Sequence, residues 1–305
     1  MVDLGFPPWI IAAHWINALF IGFLIRAGIQ IFAAYPRLYW NRNSTPGTEW
    51  LKFPGRPIPT DRPWTALEQE RDVSSWLGQP GGNNLGLGRH WHFFAAIFWV
   101  LNGFVYVVLL FATGEWRRLI PTSLSIFPDA WQTFLTYISL QQPPPSAFNP
   151  YDPLQQLVYA AVVFLLAPFL ILTAAAQSPG IAAQFPCYVR LFGGRQGARS
   201  LHFLGLLAFI VFIVGHTFMV IYTGFARNMS DMILGQHVHD QNLGVSIGLG
   251  LIAAILGIYA VTSWGSRRSP RTVQHLLGSV IRPAMHALAF RTRSHQSYRP
   301  DEISP

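Results

Sequence analysis

The sequence predicts an all-α integral membrane protein, a bundle of five transmembrane helices. Three observations predict it. Of 305 residues, 51% are apolar and only 11% are charged, whereas a soluble domain carries about 25% charged residues. Five stretches reach the roughly 20 mostly apolar residues that a helix needs to cross a bilayer. Aromatic residues are abundant, with 11 Trp, 10 Tyr and 23 Phe, as expected where rings settle at a bilayer interface. The same composition excludes intrinsic disorder, which needs low hydrophobicity. It also excludes a disulfide-stapled secreted fold, because Cys187 is the single cysteine. The net charge of +8 does not point to nucleic acid, because the basic residues border the apolar runs.

The first span covers residues 9–34. No basic segment precedes it, and it is too long for the apolar part of a cleavable signal peptide. The others cover 93–113, 157–176, 201–225 and 243–264, and Arg26 is the only charged residue within the five. Gly and Pro inside them are tolerated, because neighbouring helices re-satisfy freed backbone groups. Residues 35–90 read as a long loop, with Pro54, Pro57, Pro59, Pro63 and the run Pro80-Gly81-Gly82. A second long loop, 114–153, contains Pro143-Pro144-Pro145, and 124–140 within it reads as a short interfacial helix. From Ser266 the chain is basic and polar except for an apolar patch near 276–290. No repeat of 20–50 residues is visible.

If the N-terminus lies on side A, five spans leave the C-terminus on side B. Of the 21 Lys and Arg, seven lie in 35–90, three in 177–200 and seven in the tail, all on side B. Arg117, Arg118 and Arg227 lie on side A. The positive-inside rule then makes side B cytoplasmic.

Five of the ten histidines lie in or at the mouths of spans: His14, His90, His92, His202 and His216. Ionisable residues inside a membrane are costly and mark function. By direction of travel His14 and His216 lie toward side A, and His90, His92 and His202 toward side B. His202 and His216 are 14 residues apart, so they share one helix face about 21 Å apart along the axis. One helix thus presents imidazoles at two levels, and each meets a partner from another helix: His14 with His216, and His90 or His92 with His202. Bis-imidazole ligation of two stacked haem irons needs this arrangement. A single histidine in a span is as often a hydrogen-bonded packing residue, but chance does not readily give four that match in depth and pairing. Zinc fits poorly, because acids and cysteines do not gather near these histidines.

Arg26 lies about 18 Å below His14, near the level of His202. A buried arginine needs a counter-charge, which a haem propionate supplies; snorkelling to side B is the alternative. Arg89 and Arg199 sit at the same mouth. Asp152 opens the third span on side A, where it suits either a helix N-cap or a proton-handling carboxylate. His237, His239 and Asp240 form a cluster read as solvated rather than metal-binding. Cys187 reads as a small packing residue.

Several stretches carry a family likeness: Ile10-Ile11-Ala12-Ala13-His14-Trp15, Arg89-His90-Trp91-His92-Phe93-Phe94, Tyr151-Asp152-Pro153-Leu154-Gln155, Leu201-His202-Phe203-Leu204-Gly205 with Val214-Gly215-His216-Thr217-Phe218-Met219, and Asn228-Met229-Ser230-Asp231-Met232-Ile233-Leu234-Gly235. Through them residues 5–240 resemble the prokaryotic cytochrome b561-like family. These are di-haem cytochrome b subunits that anchor hydrogenase, formate dehydrogenase and thiosulfate reductase. The resemblance implies a di-haem membrane domain at 1–240, an additional transmembrane helix at 241–265 and a basic tail or linker at 266–305. It implies two b haems held by His14, His92, His202 and His216. His92 is favoured over His90 because apolar helix follows it directly, as in the family. Arg26, Arg89 and Arg199 are then candidate propionate partners. Asp152, where the family usually has Asn, is the candidate quinone residue. The expected role is to carry electrons in a bacterial inner membrane between quinone, bound near Asp152, and a partner oxidoreductase subunit docked on side B. The end, Tyr298 to Pro305, resembles a junction preceding a molybdopterin domain in related proteins, so the partner is expected to be of molybdopterin type. The rival readings are a transporter that relays protons through its histidines and a haem-free anchor.

Overall fold

The computed structural model describes residues 5–235 and 241–288, except 55–56, 58, 60, 64, 66–67, 69 and 142–150, with side chains as far as Pro283. The His237, His239 and Asp240 cluster and the segment from 289 onward, including Tyr298 to Pro305, lie outside the described residues.

Five helices are long and apolar enough to cross a membrane: Pro8–Ala34, Leu85–Ala112, Pro153–Gln177, Gly194–Tyr222 and Asn242–Arg268. They are α1, α2, α5, α8 and α10 in chain order. Their outward faces carry large apolar side chains, Phe104, Leu165, Val211 and Val261 among them, each about two-thirds exposed. In water that surface would drive aggregation; in a bilayer it is covered by lipid. The chain is a multi-pass membrane protein.

Two helices begin a full turn or more before the apolar run does. Asn84 caps α2, its side chain accepting the Leu87 N–H at 3.0 Å, so Arg89 and His90 already lie on helix. α8 begins at Gly194, which puts Arg195 and Arg199 on helix as well. The polar residues interrupt the hydropathy but not the hydrogen-bond ladder, so these helices extend beyond the hydrocarbon layer. α5 opens with a capping box, in which Asp152 Oδ1 accepts the Gln155 N–H and Gln155 accepts the Asp152 N–H. At mid-membrane α5 has one π turn, Val162–Leu166, just before Pro168. A π turn is a usual place for a helix to absorb a proline that cannot donate.

Short elements join the spans. The strands β1 (Arg37–Leu38) and β2 (Leu51–Lys52) pair antiparallel. The one-turn helix α3 (Trp116–Leu119) and the amphipathic α4 (Ile126–Ile138) follow α2. α4 buries Ala130 and Thr133 and exposes Phe127, Trp131 and Phe134, an interfacial pattern close to the span 124–140 expected from the sequence. The helices α6 (Pro179–Gln184) and α7 (Pro186–Leu191) connect α5 to α8. The amphipathic α9 (Phe225–Leu234) follows α8 and ends at Gly235 with φ 77°. There the carbonyl of Gly235 accepts the Phe6 N–H at 2.6 Å, tying this helix to the start of α1.

The segment expected as a tail contains a helix, α11 (Pro270–Leu288). Leu277 and Ile281 are buried with Phe23 and Ala27 of α1 and with Leu87, Trp91 and Ala95 of α2. The spacing Val273, Leu277, Ile281 repeats every four residues, one stripe of an amphipathic helix, so the segment folds back onto the bundle. The loop after β2 also turns inward. Gln30 and Gln79 are fully buried. Gln30 donates to the Gly82 carbonyl at 2.8 Å and accepts the Gly81 N–H at 3.1 Å. Residues 73–82 thereby plug the side-B end between α1 and α10.

α1 packs along α2, and α5 packs along α8, while α8 makes little direct backbone contact with α1 or α2. The space between the two pairs is bridged by aromatic and imidazole rings.

Candidate haem sites between two helix pairs

α8 carries His202 and His216, and each faces one ring from the other pair. The His14 and His216 ring centroids are 6.3 Å apart and their planes cross at 60°. Those of His92 and His202 are 6.5 Å apart and cross at 74°. Imidazole nitrogens bind metals at about 2.0–2.1 Å, so with a ring radius of about 1.2 Å two coaxial rings on one metal stand about 6.4 Å apart. Both pairs have the separation that bis-imidazole ligation requires. Among the described residues no three His, Cys, Asp or Glu side chains gather as a zinc site would need.

His90 takes a different direction. Its Nδ1 lies 2.9 Å from the Gly86 carbonyl of its own helix, and among the described residues its ring faces no other histidine. Positions two apart on a helix diverge by about 200°, so only one of His90 and His92 can meet His202, and the structure brings His92 there.

The outer nitrogens differ between the ligand candidates. Tyr159 Oη is 3.2 Å from His216 Nδ1. Thr173 Oγ1 is 3.1 Å, and the Leu170 carbonyl 3.2 Å, from His202 Nδ1. Thr173 Oγ1 also donates to the Phe169 carbonyl at 2.8 Å; having one proton, it then accepts from the imidazole. The Thr173 contact makes His202 Nδ1 the donor and leaves its Nε2 for a metal, and Tyr159 Oη stands where it would accept from His216 Nδ1 when Nε2 of that ring holds a metal. His14 Nδ1 is buried with no hydrogen-bond partner. Tyr159 and Thr173 come from α5, and sequence reasoning did not single them out. Their signal is the pairing of α5 with α8, which hydropathy does not disclose. A further pair joins the two levels. Phe209 lies seven residues from each α8 histidine and meets Trp99 of α2 at 6.4 Å, and Trp99 Nε1 donates to Asn17 of α1 at 2.7 Å. Phe212 stacks on the His216 ring at 5.7 Å.

The three arginines divide. Arg89 donates to Tyr35 Oη at 2.9 Å. Arg199 donates to the Arg37 carbonyl at 3.2 Å and to the Tyr35 carbonyl, with its guanidinium over the Tyr35 ring. Each lies three residues before a histidine, Arg89 before His92 and Arg199 before His202, hence one turn toward side B on the same face. Arg26 points elsewhere. Its Nη2 donates to the carbonyls of Ser75 (2.6 Å) and Gly78 (3.1 Å) and to Ser263 Oγ (2.8 Å), and the guanidinium lies 5.0 Å above the Tyr259 ring. Its buried Nη1 has no hydrogen-bond partner.

Asp152 is both N-cap and anchor, because Oδ2 accepts the Tyr137 hydroxyl of α4. Burial, reinforced by the Asp152 carboxylate, raises the Tyr137 pKa far above the usual phenol range, so Tyr137 stays a donor. Tyr151, beside Asp152, meets the Tyr159 ring edge-on at 5.1 Å, and Tyr159 touches His216. Asp152 is therefore linked by successive contacts to the side-A histidine pair.

The family model described as prokaryotic cytochrome b561 matches residues 5–235. A protein of Azospira oryzae named "Putative protein-methionine-sulfoxide reductase subunit YedZ1" is 25% identical over 219 residues, covering 70% of this chain and 88% of the relative. No solved structure matches.

Proposed function

This chain belongs to the prokaryotic cytochrome b561 family, and from that premise we propose that it is a two-haem electron-transfer subunit linking the quinone pool to a partner oxidoreductase. The coarser statement, a membrane haem-binding electron-transfer subunit, follows from the family and the membrane helices. The observation that carries the finer one is the pair of imidazole separations, 6.3 and 6.5 Å, at two levels of one helix.

A bound b haem supplies reversible one-electron chemistry. The chain's residues do the rest. His14 with His216, and His92 with His202, hold one haem each between the helix pairs. Tyr159 and Thr173 orient the α8 imidazoles. Trp99 and Phe209 fill the space between the two levels and keep water out of it. Arg89 and Arg199 converge on Tyr35, one turn from the side-B histidines, and supply positive charge for propionates. Arg26 has its Nη2 engaged elsewhere and its Nη1 unpartnered. Asp152 and Tyr137 form the polar pair on side A where a quinol proton would be handled. The partner is placed on side B, where basic loops favour docking by charge complementarity. The Azospira relative is named as a subunit of a protein-methionine-sulfoxide reductase, which supports a partner that performs the substrate chemistry, of molybdopterin type. The setting proposed is a bacterial inner membrane.

The test is a reduced-minus-oxidised visible spectrum of the purified chain with a measured haem:protein ratio. A sharp b-type band at two haems per chain is expected. Absence of the band leaves the transporter or the haem-free anchor.

A further inference from the structure

A cleft of about 530 Å³ opens at the side-B end of the α5/α8 pair, and no histidine lines it. Four arginines line it, Arg42, Arg190, Arg195 and Arg199, and none of its lining residues is acidic. Arg199 is already engaged with backbone carbonyls, and Arg195 Nε donates to the Gln177 carbonyl at 3.0 Å. The remaining Nη groups of Arg195, with Arg42 and Arg190, leave the cleft strongly positive.

The floor is the start of α8. No side chain caps this helix, so its first-turn N–H groups have no intrahelical acceptor, and the first-turn residues Gly194, Arg195 and Gln196 line the cleft. Gly193 and Gly194 both have positive φ, 74° and 86°. A Cβ on Gly194 would come within 3.0 Å of Arg42 Cγ, so the glycine allows the arginine stem to lie across the helix end. Helix dipole, free N–H groups and guanidinium groups all favour an anion here.

The far wall is apolar: Ala182, Pro186 and Val189 of α6 and α7. Beside it Phe185 and Leu191 are 50% and 82% exposed, which suits side chains dipping into acyl chains rather than water. A site with a cationic floor, an apolar wall and a position at the membrane surface matches a phospholipid more closely than a soluble anion. Basic pockets between transmembrane helices bind anionic headgroups in this way. We propose that this cleft binds the phosphate headgroup of an anionic phospholipid, seated on the N-terminus of α8 between Arg42, Arg190 and Arg195.

The experiment uses the full-length, haem-loaded protein, delipidated in detergent. Binding of phosphatidylglycerol is compared with that of phosphatidylcholine of the same acyl chains, with inorganic phosphate as competitor. Three proteins are compared: the natural chain, Arg42→Gln/Arg190→Gln/Arg195→Gln, and a charge-matched control, Arg267→Gln/Arg268→Gln/Arg271→Gln. The natural chain should prefer phosphatidylglycerol, and the cleft variant should lose at least about tenfold in that affinity while keeping its haem spectrum. A loss of that size is modest for three arginines, each contributing a factor of about five near an anionic lipid. The control should bind like the natural chain. Three results would overturn the proposal: unchanged binding by the cleft variant, an equal loss in the control, or displacement of the lipid by low-millimolar phosphate, which would make the ligand a soluble anion. If the triple variant fails to load haem, the exposed Arg190→Gln alone gives the same comparison with a smaller expected loss.

Discussion

Nδ1 of His216 has a phenol partner, while Nδ1 of its facing ring, His14, has none. An acceptor on the outer nitrogen makes an imidazole a better donor to its metal, which favours the oxidised state. Tyr159→Phe should therefore raise the midpoint potential of the His14/His216 haem and leave the other unmoved. A hydrogen bond worth about 0.5–1.5 kcal/mol corresponds to about 20–65 mV for one electron, and a redox titration resolving two components reads it. Equal shifts in both components would mean that Tyr159 acts on packing instead. Ligand substitutions are sharper. His216→Ala and His202→Ala should each leave one haem per chain, whereas His90→Ala should leave two, because His90 is spent on the Gly86 carbonyl of its own helix. If His90→Ala removes a haem and His92→Ala does not, the wrong residue of the pair has been assigned.

Among the elements, the start of α5 carries two possible duties for one carboxylate. Asp152→Ala deletes an N-cap, which costs about 0.5–2 kcal/mol, and also frees Tyr137. If Asp152 handles quinol protons, the variant should slow haem reduction by quinol while leaving both haem spectra intact, and Asp152→Asn, which still caps, should be milder. Lowered thermal stability with unchanged quinol kinetics would leave Asp152 as a cap only. The β1–β2 connection offers a pH test. Glu49 is held below the usual carboxylate range by its own backbone N–H, the Tyr39 hydroxyl and the Gly47 N–H, against the opposing effect of burial. A depressed carboxylate stabilises the fold above its unfolded pKa of about 4.3, and that contribution is lost as pH falls through the lower folded value. Limited proteolysis between Tyr39 and Trp50 should speed up below about pH 4, and Glu49→Gln should show the faster cleavage already at pH 7. The five spans were legible because membrane helices are written in hydropathy. Their true starts were not, because Asn84 is a polar cap and Arg89 and Arg195 are helical yet polar. The α8 histidines were legible through helical spacing, and Phe209, midway between them on that face, could have been read the same way. Tyr159 and Thr173 could not, since only the docking of α5 on α8 brings them to the rings.

At the scale of the whole molecule, the fifth span lies beyond the residues that the family match covers, yet it is bound into the side-B half of the bundle. Tyr259 Oη donates to the Leu19 carbonyl at 2.8 Å, Ser263 Oγ takes part in the Arg26 and Gln79 contacts, and Ser266 Oγ accepts Trp91 Nε1 at 2.9 Å. Trp91 is the residue before His92, and its ring stacks on Phe23 at 5.0 Å. α10 therefore fixes the stretch of α2 that aims His92 at His202; toward side A its Gly244 and Gly248 pack on Ser230 and Met229 of α9, whose Met232 carbonyl accepts Trp15 Nε1 beside His14. The contact closes only because residue 22 is glycine, where a Cβ would come within 1.9 Å of Tyr259 Oη. Gly22→Leu should drive Tyr259, and with it α10, off α1, an overpacking that costs about 1–3 kcal/mol or more. The His92/His202 haem should become labile first, so that the haem:protein ratio on purification falls toward one while the side-A haem keeps its spectrum and potential. Ser266→Ala, which removes only the Trp91 partner, should weaken the same haem to a smaller extent. Loss of both haems together would mean that the bundle stands or falls as a unit. Retention of both at natural stability would mean that α10 rides on the cytochrome core without supporting it.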